Sequence, residues 1–195
     1  TISEGILLPQ ERGKSMYSKG DYVNYSTQGI CEIEDIRLIR FNSDPRARRY
    51  YILKPVQQKN ACIYVPVDNQ KLIGQMRPVL SSDEIDRIIL SIKNSKISWI
   101  EDRKQRASEF QSILSRRDEK ELLQLASCLY LKSKDGTKGL CSGDLQILKK
   151  VETIIAQEFS FSLKIDPQDI GTYIRQKLNL SETNGFPKGF GIFPK

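Results

Sequence analysis

Histidine is absent from the 195 residues of this sequence. That absence excludes histidine-dependent catalytic triads, histidine-ligated zinc and proton transfer by an imidazole near neutral pH. Phosphate-binding glycine loops, nucleophile elbows and metal-ligand spacings are missing too. Paired carboxylates stand at expected helix starts, where capping and the helix dipole explain them. We therefore expect a protein that is not an enzyme and uses neither a metal nor a cofactor.

Cysteine is scarce, and its spacing is uninformative. The four cysteines are Cys31, Cys62, Cys128 and Cys141, and no two have C-x-x-C spacing. A zinc site would require all four to converge from dispersed positions. We interpret them as small buried apolar side chains in a reducing cytoplasm, with a disulfide or a reactive thiol as the alternative.

Long apolar runs are also lacking. No stretch approaches the roughly 20 residues that span a bilayer, and no signal peptide pattern opens the sequence. The composition is typical of soluble proteins, so we expect a cytoplasmic protein without membrane association. The formal net charge of +7 favours a local basic patch over general attraction to nucleic acid.

The composition and the hydrophobic periodicity change along the chain and predict four parts. Residues 1–15 precede Met16 without a clear periodicity, and we interpret them as a leader or a cloning remnant. Residues 16–80 are rich in Val, Ile and Tyr, whereas residues 82–180 have helical periodicity. Residues 181–195 are rich in Gly and Pro and are expected to form a flexible tail.

The composition of residues 16–80 predicts a β-module. Its strand-like runs are Tyr22–Tyr25, Ile30–Phe41, Tyr50–Val56 and Cys62–Val67. Residues 42–45 and 57–60 have the composition of turns. Four or five short strands in about 50 residues predict a small barrel or a strongly bent sheet.

The periodicity of residues 82–180 predicts a helical domain. Helix starts are expected at Ser82, near residue 99, and at Asp118, Asp144 and Asp166, each followed by an apolar stripe. Together the two parts predict an α+β protein.

An ordered set of motifs resembles the CarD/CdnL family. Gly20-Asp21-Tyr22-Val23, with Tyr25 and Gly29, is similar to the family's GD-x-V-x-Y-x-x-x-G opening. The later matches are Ile33–Ile36 to I-E-x-I, Tyr50–Leu53 to YYVL, Ile63–Asn69 to the VPV-x-N strand exit, and Trp99–Asp102 to the start of the helical part. The resemblance covers about residues 17–178.

This resemblance implies a monomeric bacterial transcription regulator. Its N-terminal module, shared with transcription-repair coupling factors, would be a Tudor/SH3-like barrel that binds the β subunit of RNA polymerase. Its helical domain would contact promoter DNA near the upstream edge of the melted bubble and stabilise the open complex. The alternative is an adaptor that binds polymerase or another protein without touching DNA.

Candidate polymerase-binding residues lie beside an expected strand edge, which a partner strand could extend. They are Arg37, Ile39 and Tyr64, together with Arg48 and Arg49 from an arginine cluster. The family often has arginine at the positions of Ile39 and Tyr64. The alternatives are that Ile39 belongs to the core and that the arginines occupy a solvated hairpin tip.

Candidate DNA-binding residues are Trp99, Arg103, Arg106, Lys149 and Lys150. Trp99 is the only tryptophan, and the resemblance implies a wedge that enters between base steps. Arg103 and Arg106 are three residues apart on one predicted helix and could hold phosphates beside it. The alternative, that Trp99 packs two helices together, is favoured because Glu101 and Asp102 would face the phosphates. Lys149 and Lys150 could bind phosphate or form a solvated face.

Overall fold

The computed structural model of the chain describes residues 16–41, 46–58, 60–134 and 139–179, without the side chain of Thr27. The expected leader 1–15, the expected turn 42–45 and the expected tail 181–195 lie outside these residues. The chain divides into two compact units, one ending at Val79 and one beginning at Leu80.

The N-terminal unit is one antiparallel sheet of five strands. The strands are β1 (Tyr22–Tyr25), β2 (Gly29–Ile39), β3 (Arg48–Pro55), β4 (Ile63–Pro66) and β5 (Met76–Pro78), and a short helix α1 (Gln70–Ile73) precedes β5. Their order across the sheet is β4-β3-β2-β1-β5. The expected barrel is therefore not closed, because β4 pairs with β3 and β5 pairs with β1, which leaves both strands at the edges.

A β-bulge in β2 decides which side chains face the core. The register with β3 shifts between Ile33 and Asp35. Before the bulge, the odd-numbered Cys31 and Ile33 are buried, whereas after it Ile36 packs against the core. Since side chains alternate along a strand, Asp35 and Arg37 then point to the opposite face.

The core of the sheet lies on one face and includes two residues from outside the strands, Tyr17 and Ile73. Tyr17 is buried, and its hydroxyl donates a hydrogen bond to the carbonyl of Met76 at 3.1 Å. The buried members of this core are Tyr17, Val23, Tyr25, Cys31, Ile33, Tyr51, Leu53, Val65, Ile73 and Met76.

The C-terminal unit consists, in its described part, of helices. They are α2 (Ser82–Ser91), α3 (Arg103–Arg116), α4 (Glu119–Lys134), α5 (Ser142–Leu163) and α6 (Ile170–Leu178). Ser81 caps α2 in a capping box with Glu84, so the cap lies one residue before the predicted Ser82. Asp102 caps α3, which therefore begins after Trp99. The α+β class predicted from the sequence is confirmed.

A second hydrophobic core holds these helices together. The predicted stripes supply most of it, including Phe110, Leu122, Leu129 and Phe159, all fully buried. Leu145, the first apolar residue after the predicted helix start at Asp144, is instead exposed. Burying each of these side chains contributes about 1.5–3 kcal/mol, so the stripes are the main source of stability.

The four cysteines are free, and their environments differ. Cys31 and Cys128 are buried, Cys141 is half-buried, and Cys62 is exposed, so the interpretation of all four as buried is wrong for Cys62. No group of metal-ligating side chains occurs within the described residues. None of the described helices combines the length and the apolar character needed to cross a bilayer.

Candidate interaction surfaces

Arg106 lies in a buried ion pair. Its Nε and Nη2 donate to the two carboxylate oxygens of Asp144 at 3.2 and 3.1 Å. Its Nη1 donates to the carbonyls of Ile100 and Glu101 at 2.8 and 3.1 Å. The hydrogen bonds to Asp144 raise the pKa of Arg106 above its usual range, although burial opposes this. The guanidinium therefore ties α3 to α5 and to the segment that carries Trp99.

This placement corrects one expectation from the sequence. Arg103 is exposed in the first turn of α3, whereas Arg106 is only 7% exposed. The two arginines therefore do not form the exposed pair that could hold phosphates on one surface. The opposing carboxylate, Asp144, lies 38 residues away in the sequence, so no local pattern shows it.

Trp99 is half-buried and packs against the helical core. Its ring meets Phe110 edge to face at a centroid distance of 6.3 Å. The Cζ of Arg106 lies 4.3 Å from the ring centroid and the Nζ of Lys132 lies 5.2 Å from it, both within the range of cation–π attraction. The geometry thus favours the packing interpretation while leaving part of the ring accessible.

The other DNA candidates are exposed. Lys149 and Lys150 lie on α5 between the buried Leu148 and Val151. No described contact joins them or Arg103 to Trp99. Sequence reasoning did not select Lys132, which lies beside Trp99, because the two residues approach only through the packing of α4.

In the N-terminal unit, the face of the sheet away from the core brings most of the polymerase candidates together. Arg37 pairs with Tyr50, Ile39 with Arg48, and Tyr64 with Ile52. Because directly opposite residues share a face, these side chains lie on one side. We call this surface the outer face, and its members are Asp35, Arg37, Ile39, Phe41, Arg48, Tyr50 and Tyr64.

Three aromatic rings form the centre of the outer face. Phe41 meets Tyr50 and Tyr64 edge to face, with ring centroids 5.2 and 5.5 Å apart. Phe41 is 38% exposed and Tyr64 is 44% exposed. Clustered accessible aromatic side chains are typical of protein interfaces. Sequence reasoning missed Phe41 and Tyr50, although both stand two residues from a selected candidate.

Asp35 and Arg37 on the outer face are joined by a hydrogen bond. Arg37 Nε lies 2.5 Å from Asp35 Oδ2. The hydrogen bond from Arg37, followed by one from the backbone N–H of Ile36, lowers the pKa of the Asp35 carboxyl. A hydrogen bond with Cys62 raises the pKa of the Tyr64 hydroxyl above its ordinary value, which already lies well above physiological pH. The face thus offers a fixed guanidinium beside neutral aromatic rings.

Arg49 is not part of this face. It pairs with Leu38 and lies between Arg48 and Tyr50 on β3, so its side chain points to the other face of the sheet. Ile39, by contrast, is half-exposed on the outer face and does not belong to the core. The expected arginine cluster is therefore split between the two faces.

Residues 17–80 match the family model described as the CarD-like/TRCF RID domain. The match covers about a third of the chain and includes all five strands and the whole outer face. Because of this similarity we refer to residues 17–80 as the RID-like domain from here on. A search of the curated proteins found no significant match.

The RID-like domain also presents the edge of its sheet. Its strand β4 pairs with β3 on one side and ends the sheet on the other. Unpaired backbone groups at such an edge can accept a strand from another protein. Tyr64 lies on β4, so the edge and the outer face are contiguous.

Proposed function

We propose that this protein is a non-catalytic, monomeric transcription regulator of the bacterial cytoplasm. Its RID-like domain binds the β subunit of RNA polymerase, and its helical unit contacts promoter DNA near the upstream edge of the bubble and stabilises the open complex. The match of residues 17–80 to a family of RNA polymerase-interacting domains is the observation that carries this proposal.

The outer face supplies the chemistry for the polymerase contact. Arg37 and Arg48 flank the aromatic cluster of Phe41, Tyr50 and Tyr64. Aromatic and arginine side chains dominate the energetics of protein interfaces, because they bury large areas and make directed hydrogen bonds. A partner surface with carboxylates and apolar side chains would satisfy both kinds of group.

Differential binding provides the mechanism. Contacts that exist with melted promoter but not with closed promoter shift the equilibrium towards the open complex. A difference of about 1.4 kcal/mol changes that equilibrium about tenfold. Modest DNA contacts suffice, since tethering to polymerase raises the effective concentration of the helical unit at the promoter.

The DNA contact rests on exposed basic side chains of the helical unit. Arg103, Lys149 and Lys150 are accessible and can reach phosphates, and the accessible part of the Trp99 ring can contact a distorted base step. Arg106 holds the segment that carries Trp99 and acts on DNA only through that position.

Polymerase binding is tested with the 195-residue chain immobilised and purified RNA polymerase in solution. Arg37→Glu combined with Tyr64→Ser should weaken binding by at least about tenfold, because it removes an aromatic anchor and reverses a charge. Lys71→Glu, an exposed change on α1 away from the outer face, is the matched control for charge. Equal binding by the two variants would contradict the proposal.

DNA contact is tested by the salt dependence of open-complex stability in the presence of the protein. Each lost phosphate contact should reduce the slope of log K against log salt by about one. Lys149→Gln with Lys150→Gln should reduce the slope, whereas Lys120→Gln, exposed at the start of α4, should leave it unchanged.

The second candidate function is an adaptor without DNA contact. The burial of Arg106 favours it, because it removes one group from the surface expected to bind DNA, and the packing of Trp99 leaves only part of that ring accessible. An adaptor would bind polymerase but give no salt-dependent change in open-complex stability. The two experiments together therefore distinguish the candidates.

A further inference from the structure

A cleft of about 420 Å³ opens on the helical unit beside Trp99. The segment Lys96–Glu101 forms one wall, and one stripe of α4 forms the other. The stripe consists of Gln124, Ser127, Cys128, Leu131 and Lys132. Residues spaced three and four apart share one face of a helix, so the wall is continuous. The volume lies in the range of small-molecule sites, roughly 300–1,000 Å³.

The apolar part of the cleft is fixed in place. Phe110 and Arg106 hold the Trp99 ring, while the carbonyls of Ile100 and Glu101 accept hydrogen bonds from Arg106. At the other end of the segment, Gln124 Nε2 donates to Ser95 Oγ at 2.5 Å. A ligand would therefore enter a formed site and pay little ordering cost.

The apolar side chains that line the cleft are Ile97, Trp99 and Leu131, of which Leu131 is 41% exposed whereas the preceding Tyr130 is buried. A flat aromatic ring beside a branched aliphatic side chain suits a planar apolar group.

Charged side chains line the cleft beside its apolar part. They are Lys96, Lys132 and one carboxylate, Glu101, and the Nζ of Lys132 lies 5.2 Å from the Trp99 ring centroid. The Ser127 hydroxyl adds a hydrogen-bonding group between them. Burial raises the pKa of the Cys128 thiol, with Lys132 opposing, so the thiol stays protonated at neutral pH and is a poor nucleophile. The chemistry is that of binding an anion, not of covalent catalysis.

We propose that this cleft binds a small amphipathic anion, with its planar aromatic body against Trp99 and Leu131 and its acidic group on Lys96 and Lys132. The site lies outside residues 17–80 and shares Trp99 with the DNA contact proposed above, so a bound ligand and a distorted base step would compete for the same ring. It would let a small molecule act on the helical unit as an effector.

The test uses Trp99, the only tryptophan in the chain, as the reporter. The 195-residue chain is titrated with 8-anilinonaphthalene-1-sulfonate, and quenching of tryptophan emission with energy transfer to the dye is measured. N-phenyl-1-naphthylamine, which has the same aromatic body without the sulfonate, is the matched neutral compound. The sulfonate should bind about tenfold more tightly, because charge-assisted hydrogen bonds add affinity.

Variants locate the binding within the cleft. Lys96→Gln and Lys132→Gln should each weaken sulfonate binding about three- to tenfold and leave the neutral compound unaffected. Leu131→Glu, a change at an exposed position, should abolish binding of the sulfonate. Lys120→Gln, on the same helix outside the cleft, should change nothing.

Several outcomes would overturn the proposal. They are the absence of sulfonate binding at millimolar concentration, equal affinities for the two compounds, and lysine variants that bind like the unmodified chain. An equal loss in Lys120→Gln would show that net charge, not the cleft, attracts the dye. Helical circular dichroism of each variant verifies that the fold is retained. If a variant in α4 is unstable, the sulfonate affinity of Lys96→Gln, a change at an exposed position in a loop, tests the proposal instead.

Discussion

Removing the guanidinium of Arg106 should destabilise the helical unit severely. The side chains of Arg106 and Asp144 are only 8% and 6% exposed. Arg106→Met keeps most of the apolar stem but leaves the Asp144 carboxylate with only the Cys141 thiol as a described side-chain donor, at 3.0 Å. The carbonyls of Ile100 and Glu101 lose their donor at the same time.

The expected cost follows from the state of the remaining partner. Breaking a buried ion pair by removing one member costs about 3–5 kcal/mol, because the other charge stays buried without compensation. Replacing both members with apolar residues is far less costly, since no charge is then left in the core. Arg106→Met with Asp144→Leu should therefore recover at least about half of the loss.

The assay is urea unfolding followed by helical circular dichroism and, in parallel, by Trp99 emission. Arg103→Met, three residues earlier on α3 and exposed, is the control and should change the free energy of unfolding by less than about 0.5 kcal/mol. In Arg106→Met the native emission should also shift to longer wavelength, because the segment that carries Trp99 loses its anchor.

A loss of less than about 1 kcal/mol in the free energy of unfolding for Arg106→Met would refute this reasoning, because a buried unpaired carboxylate destabilises the folded state by more than that. The guanidinium would then have to be accessible to solvent in the folded protein, and Arg106 would return to the list of phosphate contacts. A double variant no more stable than Arg106→Met would show that the loss comes from the carbonyls and not from Asp144.

Three further predictions concern other parts of the structure. Trp99→Ala should lower the free energy of unfolding by about 2–3 kcal/mol, which is less than the loss of about 3–5 kcal/mol for a fully buried ring. Thermal melting followed by circular dichroism measures this loss, and an unchanged melting temperature would contradict the packing of Trp99. Burial raises the pKa of Asp86, but hydrogen bonds from Lys177 and Tyr173 outweigh it and lower the pKa. Asp86→Asn should therefore lower the free energy of unfolding above about pH 5. The difference in free energy between the variant and the unmodified chain should shrink below about pH 4, because the Asp86 carboxylate is then protonated. A difference that does not depend on pH would contradict this prediction. Arg48→Ala should weaken polymerase binding severalfold while Arg49→Ala changes it little, and the reverse order would exclude the outer face.

The elements found from the sequence are those with enough residues to show a period or a cap. The strand β1 spans the predicted Tyr22–Tyr25, and the cap at Asp166 precedes a turn that leads into α6. The strand β5 was missed because three residues show no period, and it exists through its pairing with β1. Closure of a barrel likewise depends on pairings between distant strands, which local patterns do not contain.

The composition of the outer face depends on the β-bulge in β2. The adjacent charges Glu34 and Asp35 interrupt the alternation of Ile33 and Ile36, which is a visible sign of the register shift. That sign separates Arg37 and Ile39 from the core face. The split between Arg48 and Arg49, in turn, follows from strand alternation alone and could have been predicted.

The candidate DNA surface was less predictable. Helical spacing places Arg103 and Arg106 near each other, but spacing gives no information on which residue meets an acid from another helix. The position of Trp99 between α3 and α4 likewise results from tertiary packing, and so does the cleft beside it.

Both edge strands of the RID-like domain are short and end in proline. The strand β4 has four residues and ends at Pro66, and β5 has three and ends at Pro78. Proline has no N–H to donate, and an edge strand of three or four residues can pair with only a few residues of another strand. The open sheet is thereby protected from edge-to-edge aggregation. A partner strand added at β4 would gain only a few backbone hydrogen bonds, so discrimination between partners falls to the side chains of the outer face.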